Sequence, residues 1–536
     1  MSSLFVSRSP VSNFPWLSAL TFLPLIGGSA VLLLGRARRS AARLAALTFA
    51  AAALAITILL WCRLDPAFGG MQFQEWHSWA PDIGLQYHVG LDGLSLLMLA
   101  ISSIVVLMSI AASQSDSQND SKNNPEQGSA YLALLLFLES GLFGTFTALN
   151  FLHWFLFWEL SLIPAFFLIR LWGGAGRARA ATRFFIYTMV GSIILLLAFL
   201  AIFLASGTFD FIELARMAQT GQLASAIGQN LHWHQWDAGR ITMVLFWGAF
   251  LGFAVKTPVV PFHGWLPSAY AEAPSETTMA LTGVLSKMGV YGFLRILLPI
   301  FPAQMWRGRT ILLWFAVASV VLPAFTAWAQ TDLKRIFAYS SINHLGYCIL
   351  GIVAVARPLG SGPGVAAAKA AALTGVMLQL FSHAITAATL FWFVALLEKR
   401  SGGLRGLNDF GGLRRVMPVF SGMMGIALFA SLGLPGLIGF PGEFLIFKGA
   451  FSLAWWATAL ALLGLLMTAV FLLTILQRVF SGPLSERWAS IPDLTLTERL
   501  LLAPGVALIF VMGLYPQLIS GMLHGTVMQF VAQVGF

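Results

Sequence analysis

Charge is what this chain has least of. Only 10% of its 536 residues are charged and 58% are hydrophobic, whereas a soluble domain carries about 25% charge. A soluble globule is excluded, and a polytopic membrane protein is what remains. Cysteine is scarcer still, with Cys62 and Cys348 alone. An iron-sulfur cluster needs a full set of cysteines, or cysteine with histidine at set spacings, so this chain is expected to carry no electrons. The nine histidines show no paired arrangement of the kind that holds haem, and no metal or cofactor site is expected. Acidic residues fall short of basic ones, 21 against 31, which leaves a net charge of +10. Basic loops facing an anionic leaflet account for that excess without any nucleic acid.

What is present is a succession of apolar windows. A transmembrane helix needs about 20 mainly apolar residues, and about 14 such spans are predicted, near 14–35, 43–62, 92–112, 130–149, 151–171, 184–205, 241–271, 277–298, 310–329, 337–356, 366–397, 417–447, 453–479 and 500–522. The polar start from Met1 to Pro15 has no small-residue cleavage site, so the first span is read as retained. The run Ser113 to Ser129 is a solvated loop without core-forming capacity. No soluble domain has room to form. The 18 tryptophans and 44 phenylalanines are expected mostly at lipid or at the interface.

Loop charge orients the protein, because lysine and arginine gather on the cytoplasmic side. Loops after odd-numbered spans hold about 19 of the 31 basic residues, including Arg36, Arg38 and Arg39, Arg177, Arg179 and Arg183, and Lys399, Arg400 and Arg405. Both termini are therefore expected on the non-cytoplasmic side.

Against this background four ionisable residues stand out inside apolar runs: Glu159, Lys256, Lys287 and Glu443. A charge at membrane depth costs roughly 2.5 to 3.5 kcal/mol on insertion scales and is normally kept for ion movement. Lys256 precedes prolines at 258, 261 and 267, and His263 lies among them. No helix passes unbroken through that spacing, and a break at membrane depth survives only where protein or a watery cavity covers it. Pro435, Gly436, Gly439, Pro441 and Gly442 interrupt the twelfth span in the same way, and Glu443 follows directly. Broken spans at corresponding places in two halves suggest inverted repeats. The expected division is 1–129 for spans one to three, 130–300 for the first five-helix repeat, 301–480 for the second and 481–536 for the last span.

Five runs in order resemble a known family: WELSLIP at Trp158 to Pro164, AVKTPVVPFHGWLP from Ala254 to Pro267, LTGVLSKMGVYGFLR at Leu281 to Arg295, DLKRIFAYSSINHLGY at Asp332 to Tyr347, and LPGLIGFPGEF at Leu434 to Phe444. They are similar to the antiporter-like proton-pumping subunits of respiratory complex I, nearest the branch called subunit M or subunit 4 and its photosynthetic counterpart. The stretch Leu171 to Thr188 looks more like the photosynthetic form, a plastoquinone-reducing complex of thylakoid membranes with respiratory, cyclic and carbon dioxide uptake variants. The resemblance implies a subunit inactive alone, with quinone and iron-sulfur clusters in partner subunits of the membrane complex. It also implies roles. Glu159 would pair with Lys256, Lys287 would relay towards the membrane centre, His344 and His383 would lie on the central axis, and Glu443 would be the acidic exit residue. Tyr270 stands where many members carry a second histidine, while His263 is kept.

The physics of a switch is independent of the family. Burial disfavours a charged lysine and a nearby carboxylate restores it, so a Glu159–Lys256 pair that closes would hold a proton and one that opens would release it towards Lys287. Glu139 on the fourth span is either a further carboxylate on the axis or a group near the interface. Asp92 is expected to cap the third span, and Asp332, Lys334 and Arg335 to set topology from a loop. A rival function, a subunit of a multi-subunit cation/proton antiporter, shares the fold and many of these motifs.

Overall fold

The computed structural model describes residues 14–35, 39–80, 84–113, 125–231 and 236–534. The residues before Phe14, Arg36 and Arg38, and most of the polar run after Ser113 lie outside the described residues. Thirteen described helices are long and apolar enough to cross a membrane. The first to the sixth are Trp16–Gly35, Ser40–Arg63, Gly93–Ala112, Gly128–Thr147, Phe151–Trp172 and Arg177–Ser206. The seventh to the eleventh are Ala238–Lys256, Ser275–Ile300, Arg309–Trp328, Leu333–Ala354 and Val365–Ser401. The thirteenth and fourteenth are Trp455–Phe480 and Leu496–Leu514. The twelfth crossing is divided into two shorter helices, Pro418–Ser431 and Gly439–Leu453. The protein is thus an all-α polytopic membrane protein.

Several expected boundaries move. The seventh span does not run to residue 271: its helix stops at Lys256 and a short helix, Leu266–Glu272, resumes beyond the prolines. The sixth begins at Arg177 instead of near 184, since its arginines ride on the first turns of the helix. The last apolar window is cut at Leu514 by Pro516, which has no N–H to continue the ladder, and Gln517–Gln533 forms a separate C-terminal helix.

Both breaks find partners for the backbone groups they free. In the first, the Val259 amide donates to the Ala254 carbonyl at 2.8 Å, the Val260 amide to the Ser319 hydroxyl at 2.9 Å, and the Trp265 indole to the Val255 carbonyl at 2.8 Å. In the second, Gly433 and Gly436 adopt φ of 78° and 90°, and the Ile438 amide donates to the Ile509 carbonyl of the fourteenth span at 3.0 Å. The two broken members are the seventh and the twelfth, five spans apart.

Two features were not expected outside the spans. Gln72–Ala80 (β1) and Leu85–Leu91 (β2) pair antiparallel. Glu75 on β1 accepts the Leu17 amide at 2.7 Å at the start of the first span and binds the Ser18 hydroxyl, placing negative charge at a helix N-terminus, where it is favoured. On β2, His88 meets Asp210 at 2.5 Å, and Asp210 caps a short helix, Phe211–Gln219; a second, Gln222–Asn230, follows. The aromatics also depart from expectation. Trp314 and Trp455 are exposed, but Trp154, Trp158, Trp265 and many phenylalanines are fully buried, because the outer spans enclose central helices whose apolar stretches are wholly buried. The eighth and eleventh are of that kind.

Candidate functional site

Lys287 is buried on the eighth span, immediately after a π-helical turn at Leu281–Leu285. Such wide turns are frequent at functional sites. The Lys287 Nζ donates to the Thr282 carbonyl at 2.8 Å and lies 2.9 Å from the His383 Nδ1 on the eleventh span. The rings of His383 and His344 are 5.3 Å apart. From the tenth span, His344 Nδ1 approaches Glu443 Oε1 at 3.2 Å, and its Nε2 is 3.2 Å from the Ser431 hydroxyl. The Gln379 amide nitrogen donates to Glu443 Oε1 at 3.4 Å and lies 3.3 Å from His344 Nδ1. Four residues from four different spans therefore form one contiguous line, Lys287, His383, His344 and Glu443, all buried.

Glu443 sits just inside the second helix of the twelfth crossing because the glycines before it let the chain turn sharply. A Cβ at Gly433 would lie 2.5 Å from Glu443 Oε2, so the carboxylate occupies space that only glycine leaves open.

The other end is arranged differently from the expected pair. Lys256 is buried at the end of its helix, and its ammonium lies over the Trp158 ring, 4.8 Å from the centroid. The Trp158 indole N–H is held by the Ser192 hydroxyl at 2.9 Å. Glu159, the next residue, makes no ion pair with Lys256, and its Oε1 is buried without a hydrogen-bond partner. A cation over an indole face is attracted by the ring quadrupole, so the aromatic neighbour holds the lysine and the pair stands open. Glu139 is fully buried on the fourth span, and neither carboxylate oxygen has a hydrogen-bond partner. His263 is half-buried in the first break and, among the described residues, bonds to none of the other candidates.

Sequence reasoning missed Gln379 and Ser431; the signal for Gln379 was its place one turn before His383 on the same helix face. Tyr270 gains a definite place: its hydroxyl donates to the Leu281 carbonyl at 3.0 Å, at the start of the π-helical turn. Asp92 caps the third span by accepting the Ser95 amide at 2.9 Å. Lys334, expected in a loop, is buried and pairs with Glu398 at 3.2 Å, and Asp332 pairs with Arg405 at 2.6 Å.

A polytopic bundle with two broken crossings around a buried line of lysine, histidine and carboxylate is the class of membrane protein that this fold defines. Residues 148–468 match the family described as NADH:quinone oxidoreductase/Mrp antiporter, TM. The chain is 32% identical to NADH-quinone oxidoreductase subunit M of Mycobacterium tuberculosis, with 98% of this chain and 95% of the relative covered. It is 33% identical to subunit M of Rhodobacter capsulatus, covering 96% of each. Among solved structures, a chain of respiratory complex I from Thermus thermophilus with bound NADH superposes with a TM-score of 0.81 at 27% identity, over 97% of this chain and 100% of that one. A chain of the Mrp complex from a Dietzia species gives 0.79 at 20% identity, over 97% and 100%, a likeness of fold. The chain belongs to this family, as an antiporter-like subunit of the complex I membrane-arm type.

Proposed function

We propose that the protein moves protons through the axis Glu159, Lys256, Lys287, His383, His344 and Glu443, driven by quinone reduction in partner subunits that hold the iron-sulfur clusters. The observation that carries this reading is the contiguous line from Lys287 through His383 and His344 to Glu443. A proton on Lys287 has an acceptor 2.9 Å away in His383, and the histidines can take and pass it by ring tautomers. Glu443 would then release it to water. Glu139 and His263 are lower in the reading, as a buried carboxylate and a half-buried imidazole that the line does not reach. We take the division at 130, 301 and 481 into a first repeat, a second repeat and a last span, a reading that the matched breaks support.

The resemblance of Leu171 to Thr188 supports a narrower, photosynthetic reading with plastoquinone in a thylakoid membrane. The named relatives are bacterial subunits M, so we take a bacterial inner membrane as the setting, with other membrane-arm subunits as neighbours. Both termini face away from the cytoplasm, following the basic loops; a cysteine placed at Arg405 should label from the cytoplasm.

The rival reading, a cation/proton antiporter subunit, has the shared fold in its favour. Glu443 separates the two. Glu443→Ala should abolish quinone-coupled acidification in vesicles while native gels still show the complex, Glu443→Asp should keep part of it, and sodium should have no effect. A Glu443→Ala variant pumping at the normal rate removes the residue from the path, and sodium-dependent proton movement by the isolated subunit selects the antiporter.

A further inference from the structure

The eighth span carries two π-helical turns, one on either side of Lys287–Gly292. The first serves Lys287. The second, Phe293–Leu297, carries Arg295, a residue the proton axis does not use. Arg295 is buried, and its Nη2 lies 2.5 Å from Asp92 Oδ1 and 3.5 Å from the Ser95 hydroxyl. Ser95 in turn is 3.2 Å from the Tyr291 hydroxyl, which donates to the Phe146 carbonyl at 2.9 Å. Tyr291 stands one helical turn beyond Lys287. A polar series thus continues from the level of Lys287 towards the end of the span opposite Ser275, and it ends in an ion pair.

That ion pair has a roof. The C-terminal helix Gln517–Gln533 lays Phe530 against the guanidinium, 5.4 Å from ring centroid to Cζ, and its Thr526 hydroxyl accepts the Gly93 amide at 2.9 Å, next to Asp92. Its far end is held by a second buried cation, as Lys369 Nζ donates to the Val534 carbonyl at 3.1 Å. Cations are favoured at a helix C-terminus. The guanidinium is still incompletely satisfied, since its Nε is buried without a partner. A fully buried ion pair gains little stability over an apolar pair of the same volume, so a structural role alone is a poor reason to build one here. At the other end of the same span, Ser275 bonds Glu398, which also meets Lys334 and Arg405. The span therefore joins two charged clusters through one lysine.

We propose that the Asp92–Arg295 pair, roofed by the C-terminal helix, is a gate closing a second outlet for the proton on Lys287, by way of Tyr291 and Ser95, on the face opposite the Lys334–Glu398 cluster. It rests on the reading of Lys287 as a proton carrier. Lifting the helix removes Phe530 and Thr526 together and admits water to the pair, so that the pair opens and the proton passes from Ser95 to water.

The test is passive proton conductance of vesicles holding the assembled complex, with no electron donor, so that failure of the quinone-driven reading leaves the result interpretable. Asp92→Asn should raise conductance several-fold, and Asp92→Glu should restore the seal. Phe530→Ala with Thr526→Val, which leaves both charges in place, should also leak and keeps the test open should Asp92→Asn fail to assemble. Adding Lys287→Ala to a leaking variant should abolish the leak. Assembled lid variants as tight as the unmodified complex overturn the gate, and a leak that survives Lys287→Ala overturns the route.

Discussion

Lys287 Nζ and His383 Nδ1 lie 2.9 Å apart, a contact between the eighth and eleventh spans in which one group is a donor and the other an acceptor only if the imidazole is neutral at that nitrogen. Protonating both would place two cations side by side in a buried site, so the pair holds one proton at a time. The proposed path uses this contact as a transfer step.

His383→Leu removes the acceptor and leaves Lys287 with the Thr282 carbonyl alone, which cannot take a proton. Loss of a positioned acid/base group slows proton transfer by roughly a hundredfold or more. Quinone-coupled acidification should fall to that extent in complexes that assemble normally on native gels. A His383→Leu variant that pumps at more than half the normal rate would take the contact out of the path.

The indole of Trp158 gives a second expectation. A desolvated cation–π contact is worth about 2 kcal/mol, and Lys256 sits over that ring at 4.8 Å. Trp158→Leu should free the ammonium to close on Glu159 and lock the pair. Pumping should fall about thirtyfold, the rate equivalent of about 2 kcal/mol, and Trp158→Phe should lie between. Full pumping in the leucine variant would mean that the ring does not control the lysine.

How much of this was legible in the sequence depends on what each residue's neighbours are. The spans were, since length and apolar character alone define a crossing, and the two breaks were, since Pro258, Pro261 and Pro435 cannot continue a helix, although Gly439, Pro441 and Gly442, expected in the second break, lie in the first turn of Gly439–Leu453. The facing of the spans was not. A helix apolar on all sides has no stripe to show which side is buried, so Trp154, Trp158 and Trp265 read the same as lipid-facing Trp314. The β1–β2 hairpin went unread although Pro81, Asp82 and Gly84 between its strands are turn residues, because the exposed Trp76 and Trp79 break the in–out alternation of a half-buried strand. Glu159, Lys256, Lys287 and Glu443 were conspicuous as charges in apolar runs. That Lys287 reaches His383, and that Lys256 rests on Trp158 and not on Glu159, depends on packing between helices far apart in the sequence.

Tyr270 allows a test of a residue that departs from the family pattern. Its hydroxyl satisfies the Leu281 carbonyl, which also accepts the Ser286 amide at 3.2 Å. This is a supporting position for the wide turn that carries Lys287. Tyr270→Phe should lower the thermal stability of the subunit by about 1 kcal/mol, the usual net worth of one hydrogen bond, and leave pumping within about twofold of normal. Loss of pumping with unchanged stability would instead make Tyr270 a member of the proton path.

Gly433 and Gly436 form a matched pair of tests for the exit carboxylate. Both have positive φ, 78° and 90°, so an alanine at either position adopts a left-handed conformation at a cost of about 1 to 2 kcal/mol. The space around them differs. An added Cβ at Gly436 meets nothing nearer than Leu514 Cδ2 at 3.9 Å, while at Gly433 it would fall 2.5 Å from Glu443 Oε2. Backbone strain is therefore common to the two variants, and displacement of the carboxylate belongs to one. Gly433→Ala should lose acidification about as completely as Glu443→Ala, because a carboxylate pushed aside no longer meets His344 at 3.2 Å. Gly436→Ala should show a similar fall in thermal stability with pumping largely kept. Equal loss of pumping in both would trace the effect to the break itself, and normal pumping in Gly433→Ala would mean that Glu443 works without the position it holds here.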